Sequence, residues 1–398
     1  MKTVTNCRVC GCKNLVEYLS LGEVPLANKL IIRPSSVKKY PLKVLYCDEC
    51  KLSQLSVVVS PSKLYSNYPY YSSVSKPFIQ HCSGLAKKAR KLIPTSFPTT
   101  VDIASNDGCL LKEMKKEGFL TIGIEPSKNL ADEANENDIH TINSFFDDKT
   151  AKMLSNIDVV TATNVFAHVD DLYSFLKNVR QILSFNGIFI IEVPYLPNLI
   201  NKKQFDTIYH EHLSYFLLNP IVRLMEMNGF KVFDVEEVPI HGGSIRVFAS
   251  RSYRKEDKSV RRMLRKEEKF YEVGIYEEFS RSVEENLGKV KELLNKLRAE
   301  NKTVAGFGAS AKGSTLLNSC SITHEHISYI VDDTKAKQGK YVAGCNIPIY
   351  KTSRLNTYTP DYLFITPWNF VEEIMRKTKS LHEKGMKYIV PNPTVSVI

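Results

Sequence analysis

The apolar and polar positions divide the 398-residue chain into four stretches of different pattern. The first, residues 1–60, contains short apolar runs such as 43–46 and 54–59, which are typical of strands. A stretch rich in Tyr, Ser and Pro follows at 61–78 and predicts a loop. The chain is therefore expected to begin with a small, strand-containing head.

From residue 79 onward, apolar runs of strand length alternate with stretches of helical spacing, among them a predicted helix over 172–183. Strands that alternate with helices predict a parallel sheet that is covered on both faces. The predicted strands are 100–104, 121–124, 157–161 and 187–193.

Residues 251–302 carry 15 Lys and Arg against 11 Asp and Glu, with no Pro and with apolar residues at helical spacing. This pattern predicts a pair of long charged helices that bridge two domains. Strand–helix alternation then resumes, with predicted strands at 303–306, 327–331, 362–365 and 388–390. The four predicted units are a head at 1–78, an α/β domain at 79–250, a helical connector at 251–302 and a second α/β domain at 303–398.

Composition narrows the function classes only partly. Lys and Arg number 54 and Asp and Glu 43, so the net charge is +11. This balance favours an anionic partner without choosing among nucleic acid, phosphate and a sugar nucleotide. No apolar run reaches the ~18–20 residues of a membrane helix, and the N-terminus lacks an apolar export signal. We expect a cytoplasmic protein with no membrane association.

The cysteines predict a metal site. Five of the nine lie within residues 1–60, and clustering with an odd total argues against a disulfide framework. Cys7-x-x-Cys10 and Cys47-x-x-Cys50 form two knuckles that together offer four thiolates to one tetrahedral zinc ion. Four thiolates leave no open position, so the zinc is expected to be structural. Cys12 is a spare that could replace Cys10 as a ligand.

The motif V-D-I-A-S-N-D-G at 101–108 predicts a strand and a tight polar turn that leads into a helix. Glu125 follows Asp102 by 23 residues, at the end of the next strand, where an acidic group can bind ribose hydroxyls. The turn has one Gly only, so G-x-G-x-x-G is absent and a pyrophosphate cradle is disfavoured. S-adenosylmethionine, which has no phosphate, fits better, and a plain strand–helix turn is the alternative.

Three further motifs offer polar chemistry. Y-H-E-H at 209–212 groups two histidines, a carboxylate and a tyrosine, which suits a general base, with a metal site or a structural histidine as alternatives. H-G-G-S-I-R at 241–246 permits close backbone approach to a ligand, and Arg246 either meets an anion or pairs with a surface acid. G-F-G-A-S-A-K-G at 306–313 and V-D-D at 331–333 predict a holder for a diphosphate ligand, or simply a structural repeat of the fold.

In this order the motifs resemble the S-adenosylmethionine-dependent sugar C-methyltransferases, a family known for 3-C-methylation of nucleotide-linked deoxysugars. The resemblance runs from Cys7 to about Phe370. The motifs that carry it are the four cysteines, Y-P-Y-Y-S-S at 68–73, S-N-D-G at 105–108, G-I-E-P-S at 123–127, N-V-F-A-H-V at 164–169, F-D-T-I-Y-H-E-H-L-S-Y-F at 205–216, H-G-G-S-I-R at 241–246, G-A-S-A-K-G at 308–313 and P-W-N-F at 367–370.

The resemblance implies a zinc-binding head, a central Rossmann-like S-adenosylmethionine methyltransferase domain and a C-terminal Rossmann-like α/β domain that helps to hold the sugar nucleotide. It also implies the reaction: a base removes the C3 proton of a nucleoside-diphosphate-linked 4-keto-6-deoxyhexose, and that carbon receives a methyl group. A dTDP-linked sugar is favoured. One departure is Ala104, where the family usually has Gly, and its added methyl could weaken cofactor binding.

The resemblance also assigns roles to residues. His212 is expected to be the base, Glu211 to bind sugar or orient the base, Tyr209 and His168 to stabilise the enolate oxygen, and Tyr70 or Tyr71 to close the site. The residues expected to hold the cofactor are Asp102, Ala104, Asn106, Asp107, Gly108, Glu125 and Asn164. The residues expected to hold the substrate are His241, Ser244, Arg246, Ser310, Lys312 and Asp332.

Three other functions stay open at this point. O- or N-methylation of a nucleotide sugar uses the same scaffold. An RNA methyltransferase would also combine a zinc knuckle with positive charge, but it should show a basic stripe with stacking aromatics, whereas Lys and Arg are spread widely here. A non-catalytic zinc- and nucleotide-binding module is the third. We expect no nucleic-acid partner and favour a monomer.

Overall fold

The computed structural model describes residues 1–65, 71–240 and 242–398 of the chain. Tyr70 and His241, both expected at the site, lie outside the described residues. The described strands form four sheets, of two, four, seven and eight strands.

The head is built on an antiparallel sheet. Its main pair, β2 and β4, is extended by β5 and then by a strand of the central domain, Ser214–Tyr215. Buried and half-buried positions alternate along β4, as expected when one face of a sheet packs on a core. The head strands are β1 Lys2–Thr3, β2 Leu15–Val24, β3 Leu30–Ile31, β4 Tyr40–Cys47, β5 Ser53–Leu55 and β6 Val57–Val58.

The prediction of a loop over 61–78 is wrong in part. Helix α1 covers Pro61–Tyr65, a 3₁₀ helix covers Ser72–Val74, and α2 covers Lys76–Leu92. Ser75 caps α2 by accepting a hydrogen bond from Phe78 N, and a Pro occupies the first turn. An N-cap serine followed by Pro is a helix-start signal, which the Tyr-, Ser- and Pro-rich composition concealed.

The central domain has a seven-stranded sheet in the order β13-β14-β11-β10-β7-β8-β9. Its strands are β7 Thr99–Ile103, β8 Leu120–Ile124, β9 Thr141–Ile142, β10 Ile157–Thr163, β11 Leu183–Pro194, β13 Lys231–Val238 and β14 Ser244–Ser250, while Ser214–Tyr215 is β12. The covering helices are α3 Cys109–Lys116, α4 Lys128–Glu136, α5 Asp148–Ala151, α6 Leu172–Ile182, α7 Leu196–Asn201 and α8 Leu218–Met227.

All four predicted strands of this domain are confirmed, and β9, β8, β7, β10 and β11 pair in parallel as expected. The remaining two strands of the sheet, β13 and β14, do not follow the predicted parallel arrangement. β14 runs antiparallel to both β11 and β13. The reason is the connection, since only the short stretch 239–243 joins β13 to β14, and a parallel pair needs a crossover of a dozen or more residues.

The predicted pair of charged helices is confirmed as α9 Lys258–Glu267 and α10 Val273–Ala299, with a 3₁₀ helix at Glu268–Tyr271 between them. Helix α10 packs on the head rather than crossing open solvent. Its Tyr276 lies against Tyr18 and Tyr46 of the head, with ring centroids 4.9 and 4.6 Å apart.

The C-terminal domain has an eight-stranded sheet in the order β21-β20-β19-β15-β16-β18-β17-β3, so the head supplies its edge strand. The four predicted strands are confirmed as β15, β16, β19 and β20. The strands are β15 Val304–Phe307, β16 Tyr329–Val331, β17 Tyr341–Val342, β18 Ile347–Tyr350, β19 Tyr362–Ile365, β20 Lys387–Val390 and β21 Ser396–Val397. The helices are α11 Ala311–Ser319, α12 Arg354–Thr357, α13 Val371–Lys377 and α14 Lys379–His382, with 3₁₀ turns at Lys335–Lys337 and Trp368–Phe370.

The described part of the chain contains no helix that is long and apolar enough to cross a membrane.

A buried ion pair joins β11 to β14. Glu192 is paired with Arg246 across the strands, and the guanidinium lies 3.0 Å from the carboxylate. His81 of α2 lies 2.9 Å from the same carboxylate. Burial alone would raise the pKa of Glu192, but the hydrogen bond with His81 and the charge of Arg246 hold it below its usual value. Arg246 therefore serves the sheet, and its expected contact with substrate stays a prediction.

Arg246→Ala should lower the free energy of unfolding by about 3–5 kcal/mol, because it leaves the Glu192 carboxylate buried without its cationic partner. Urea unfolding followed by circular dichroism measures the change. The control is Arg261→Ala, which removes an exposed pair with Glu256 and should cost about 0–1 kcal/mol. Equal losses in the two variants would contradict the role assigned to the buried pair.

Candidate active site

The two cysteine knuckles meet in the head. The ligand atoms of Cys7, Cys10, Cys47 and Cys50 all lie within 4.8 Å of one another. The sulfurs of Cys7 and Cys50 are 3.3 Å apart, and those of Cys10 and Cys47 are 3.5 Å apart. Cys12 is outside this group, and its sulfur accepts a hydrogen bond from Asn14 N instead. Four converging thiols fit a tetrahedral zinc ion and leave no position open for catalysis.

The residues expected to hold the cofactor follow three neighbouring parallel strands. β10, β7 and β8 lie side by side, so their carboxyl ends meet at one edge of the sheet. Open α/β sheets bind their ligands in the crevice at this edge. The structure places there, in or after the strand ends, Asp102, Ala104, Asn106, Asp107, Gly108, Glu125 and Asn164.

Glu125 ties the first two of these strand-end loops together. Its carboxylate accepts hydrogen bonds from Asn106 N at 2.9 Å and from Ser127 N at 2.8 Å. Burial raises the pKa of Glu125, and these backbone donors oppose the rise. A carboxylate accepts about four hydrogen bonds, so two known donors leave capacity for ribose hydroxyls.

Two polar atoms of the first loop test whether the crevice fits a ligand. Ser105 Oγ and Asp107 Oδ1 are buried and have no hydrogen-bond partner among the described residues. Buried polar atoms are normally satisfied, so an unsatisfied pair at a sheet edge indicates a polar ligand. The residues present therefore fit S-adenosylmethionine, which carries a polar amino-acid end and a ribose but no phosphate.

The backbone of the same loop is strained at Ala104, whose φ of 53° lies in the left-handed region. A residue with a Cβ pays about 1–2 kcal/mol there, whereas Gly adopts this conformation freely. This strain explains why Gly suits the position in the sugar C-methyltransferases that the sequence resembles.

Asp102 and Asn164 are engaged by the sheet itself. Asp102 is buried and accepts a hydrogen bond from Thr161 Oγ1 at 2.6 Å, and burial raises its pKa to about 7. Asn164 N donates to Glu192 O at 2.8 Å. Both residues shape the crevice, and their direct contact with cofactor stays a prediction.

Residues 72 and 73 contact the loop after β7, where the cofactor is expected to bind. Ser72 N donates to Asn106 Oδ1 at 2.9 Å, and Ser73 N donates to Asp107 Oδ2 at 3.0 Å. The Tyr71 hydroxyl accepts a hydrogen bond from Asn129 Nδ2 of α4 at 3.2 Å. The structure thus places Tyr71 against α4, and its expected role in closing the site stays a prediction.

Three aromatic rings of the expected catalytic set lie together. The His212 ring lies 5.0 Å from that of His168 and 4.1 Å from that of Tyr209, measured between centroids. His212 Nδ1 lies 2.7 Å from Thr207 O. A carbonyl oxygen can only accept, so Nδ1 carries the proton and Nε2 is left as the basic nitrogen.

His168 is held neutral beside His212. It ends the 3₁₀ helix Phe166–His168 that follows β10. Burial, with a further contribution from the nearby His212, lowers the pKa of His168 well below its usual value. Its Nδ1 lies 3.2 Å from the Tyr65 hydroxyl, and the two rings are stacked.

The other two residues of Y-H-E-H have different surroundings. His210 turns to the head, where its Nε2 lies 3.1 Å from Pro41 O, so this histidine is structural. Glu211 is buried, and burial raises its pKa to about 7. Asn28 of the head opposes this rise by donating from Nδ2 to Glu211 Oε2 at 2.9 Å.

The C-terminal domain contacts the segment 205–212 through Trp368, whose Nε1 donates to Asp206 Oδ2 at 2.6 Å. The Lys312 ammonium lies 5.0 Å from the Trp368 ring centroid. Burial lowers the pKa of Lys312 and the charge of Asp206 opposes that shift, while burial raises the pKa of Asp206. This cluster adjoins Thr207, the residue that orients the His212 ring.

Ser310 and Asp332 are engaged locally. Ser310 Oγ caps α11 by accepting from Gly313 N at 3.1 Å. Asp332 accepts from Ala309 N and Thr334 N, both at 2.8 Å. These bonds fix the two loops at the carboxyl ends of β15 and β16, and contact with substrate stays a prediction for both residues.

The paired glycines of H-G-G-S-I-R were expected to let a ligand approach the backbone closely. In the structure, the groups that approach them are side chains of the protein itself. A Cβ at Gly242 would lie 2.6 Å from Gln204 Oε1, and one at Gly243 would lie 2.4 Å from Asn198 Nδ2. Both glycines have positive φ, of 95° and 116°. Ser244 is buried, and its hydroxyl donates to Ile240 O at 3.3 Å.

Comparison with known proteins bears directly on this site. The chain is 34% identical to the C-methyltransferase NovU of Streptomyces niveus over 410 aligned positions, which include all of this chain and 98% of that relative. The chain belongs to the C-methyltransferase family. Family models for a zinc binding domain, a methyltransferase domain and a C-methyltransferase C-terminal domain match residues 7–65, 79–235 and 239–393.

Similarity to solved structures is weaker. The magnesium protoporphyrin IX methyltransferase of Synechocystis, solved with SAH bound, is 16% identical with a TM-score of 0.36, over 44% of this chain and 83% of that one. The PH0226 protein of Pyrococcus horikoshii is 16% identical with a TM-score of 0.37, over 47% and 98%. Likenesses this distant add nothing about substrate.

This C-methyltransferase is therefore an S-adenosylmethionine-dependent enzyme with a structural zinc site in its head, as predicted. Its three-part fold is also as predicted. A zinc-binding head precedes a central Rossmann-like methyltransferase domain and a C-terminal α/β domain, and the sheets of both α/β domains contain parallel and antiparallel pairs.

The sequence did not identify Asn28, Thr207 and Asp206 as residues of the site. Asp206 and Thr207 lie inside the F-D-T-I-Y-H-E-H motif, so their position in that motif was an available signal. Asn28 had none, because its contact with Glu211 joins positions 183 residues apart.

Cys50→Ala should abolish zinc binding and lower the melting temperature, because three thiolates no longer complete a tetrahedral structural site. Zinc content by atomic emission and melting by calorimetry measure this. Cys12→Ala is the matched control, expected to keep one zinc per chain. Zinc loss in Cys12→Ala with retention in Cys50→Ala would overturn the ligand set.

Proposed function

We propose that this enzyme transfers a methyl group to C3 of a nucleoside-diphosphate-linked 4-keto-6-deoxyhexose. The observation that carries the proposal is the orientation of His212, whose Nδ1 is bound to Thr207 O, so that Nε2 is the basic nitrogen. Carbon methylation next to a ketone requires such a base, because the carbon must first lose a proton to become a nucleophile.

The first step is proton removal by His212 Nε2. The electron pair of the C3–H bond forms an enolate with the C4 carbonyl, and the proton stays on His212. Tyr209 and His168 are donors for the enolate oxygen, and their rings lie beside His212. His168 suits this role because, with its low pKa, it is a neutral donor that does not repel an imidazolium forming beside it.

S-adenosylmethionine, when bound, supplies an electrophilic methyl group for this carbon. The loop of Asn106, Asp107 and Gly108, with Glu125, holds the cofactor at the edge of the sheet. The protein itself orients the reacting groups and excludes water from them. Residues 72 and 73, which contact Asn106 and Asp107 of the cofactor loop, help to exclude water.

The nucleotide part is assigned to the C-terminal domain. Lys312, Ser310 and Asp332 follow adjacent strands of its sheet, and the charge of Lys312 acts on Asp206, five residues before Glu211. The Lys312 ammonium would meet a phosphate, and the net charge of +11 attracts a diphosphate substrate, with dTDP favoured as the nucleotide. The protein is proposed to be cytoplasmic.

The direct experiment is methyl transfer from labelled S-adenosylmethionine to a panel of dTDP-, GDP- and CDP-linked 4-keto-6-deoxy sugars, with mass spectrometry locating the new methyl. A carbon-bound methyl at C3 is expected. A methyl on oxygen or nitrogen, or transfer to tRNA and not to the panel, would contradict the proposal.

His212→Asn should reduce turnover by about 10²–10⁴-fold, the usual contribution of a general base. The dissociation constant of S-adenosylmethionine, measured by calorimetry, should not change, because the cofactor loops do not include His212. His140→Asn, the same change at an exposed histidine, is the control. Turnover of His212→Asn at the wild-type rate would rule out the assigned base.

A further inference from the structure

We propose that Asn28, in the head, is a positioning residue of the catalytic site that acts through the Glu211 carboxylate. This inference rests on the function proposed above and adds to it, because it gives the head a second task besides binding zinc.

The contact is direct, and it joins the partly buried Asn28 to the buried Glu211. Asn28 Nδ2 donates to Glu211 Oε2 at 2.9 Å, and Glu211 is only 2% exposed. Within the part of the chain that the structure describes, no other side chain hydrogen-bonds this carboxylate. Glu211 directly precedes His212, so the orientation of one constrains the backbone of the other.

The loop that carries Asn28 is fixed from two sides. Before it, Val24 at the end of β2 pairs with Tyr40 of the head. After it, β3 pairs with β17 of the C-terminal domain, and Ala343 N donates to Lys29 O at 3.4 Å. The loop of Asn28 is thus held by the head and by the C-terminal domain. This suits a residue that must present its amide group in one orientation.

The chemistry of the pair follows from its donors and acceptors. An amide N–H stabilises an ionised carboxylate more than a protonated one, so Asn28 favours the charged form of Glu211. Burial works in the opposite direction and brings the pKa of Glu211 to about 7. The titratable groups near Glu211 include Tyr65, whose hydroxyl lies 3.5 Å from the Glu211 carbonyl oxygen, Tyr215, which interacts electrostatically with Glu211, and His212, the next residue in the chain. An ionised Glu211 can accept a hydroxyl of the substrate, which a protonated one does less well.

Asn28→Ala tests this role with two readouts. Loss of the Asn28 amide donor should raise the pKa of Glu211 by about one to two pH units, which is equivalent to one hydrogen bond to a charged group. Titration of ¹³C-labelled glutamate carboxyls by NMR, with Glu211→Gln for assignment, measures this without substrate. The value of kcat/KM at pH 7 should fall about 10-fold and recover towards wild type at higher pH.

Asn14→Ala, at an exposed asparagine of the same head, is the matched control and should change neither readout. Zinc content and the affinity for S-adenosylmethionine should stay at wild-type values in both variants. If Asn28→Ala unfolds the head, Asn28→Asp replaces it. That nearly isosteric change puts a second carboxyl beside Glu211 and should raise the pKa further.

An unchanged Glu211 titration in a folded Asn28 variant would overturn the inference. So would a shifted titration with an unchanged pH profile of kcat/KM. If no sugar of the panel is methylated by the wild-type enzyme, the proposed substrate is wrong, and the NMR titration still decides whether Asn28 controls Glu211.

Discussion

The bond between His212 Nδ1 and the Thr207 carbonyl oxygen is the contact on which the proposed chemistry depends. It fixes the tautomer of the imidazole, so that Nδ1 is a donor to the backbone and Nε2 is the basic nitrogen. Without this bond the ring could present either nitrogen to the crevice. Because the neighbouring His168 is neutral, it places no second charge beside the proposed base.

The position of Thr207 depends in turn on contacts from all three parts of the chain. Its neighbour Asp206 accepts a hydrogen bond from Trp368 of the C-terminal domain. On the other side of the motif, β12 completes the sheet of the head by pairing with β5. The central domain thus supplies the proposed base, while the other two domains hold the segment that carries it. The head therefore supports this segment, although its four-thiolate zinc site has no position open for catalysis.

The sequence predicted the parts of this structure whose signals are local. Apolar runs located the strands, because a strand buried on both faces must be apolar along its length. Cysteine spacing located the thiol cluster, and the polar motifs that were expected to follow strands do lie at the strand ends. Contacts between distant segments were not predictable in this way. No periodicity indicates that Asn28 reaches Glu211, that a two-residue β12 joins the head, or that Arg246 is used by a buried pair.

The most direct test of the account is hydrogen exchange at C3 of the substrate. The proposed substrate, a 4-keto-6-deoxy sugar nucleotide, is incubated with enzyme in D₂O, in the presence of S-adenosylhomocysteine so that no methyl transfer competes, and NMR follows each sugar position. We predict that deuterium enters at C3 with the wild-type enzyme and not with His212→Asn. Exchange that persists in His212→Asn, or that occurs at C5 in place of C3, would contradict the assignment of base and carbon.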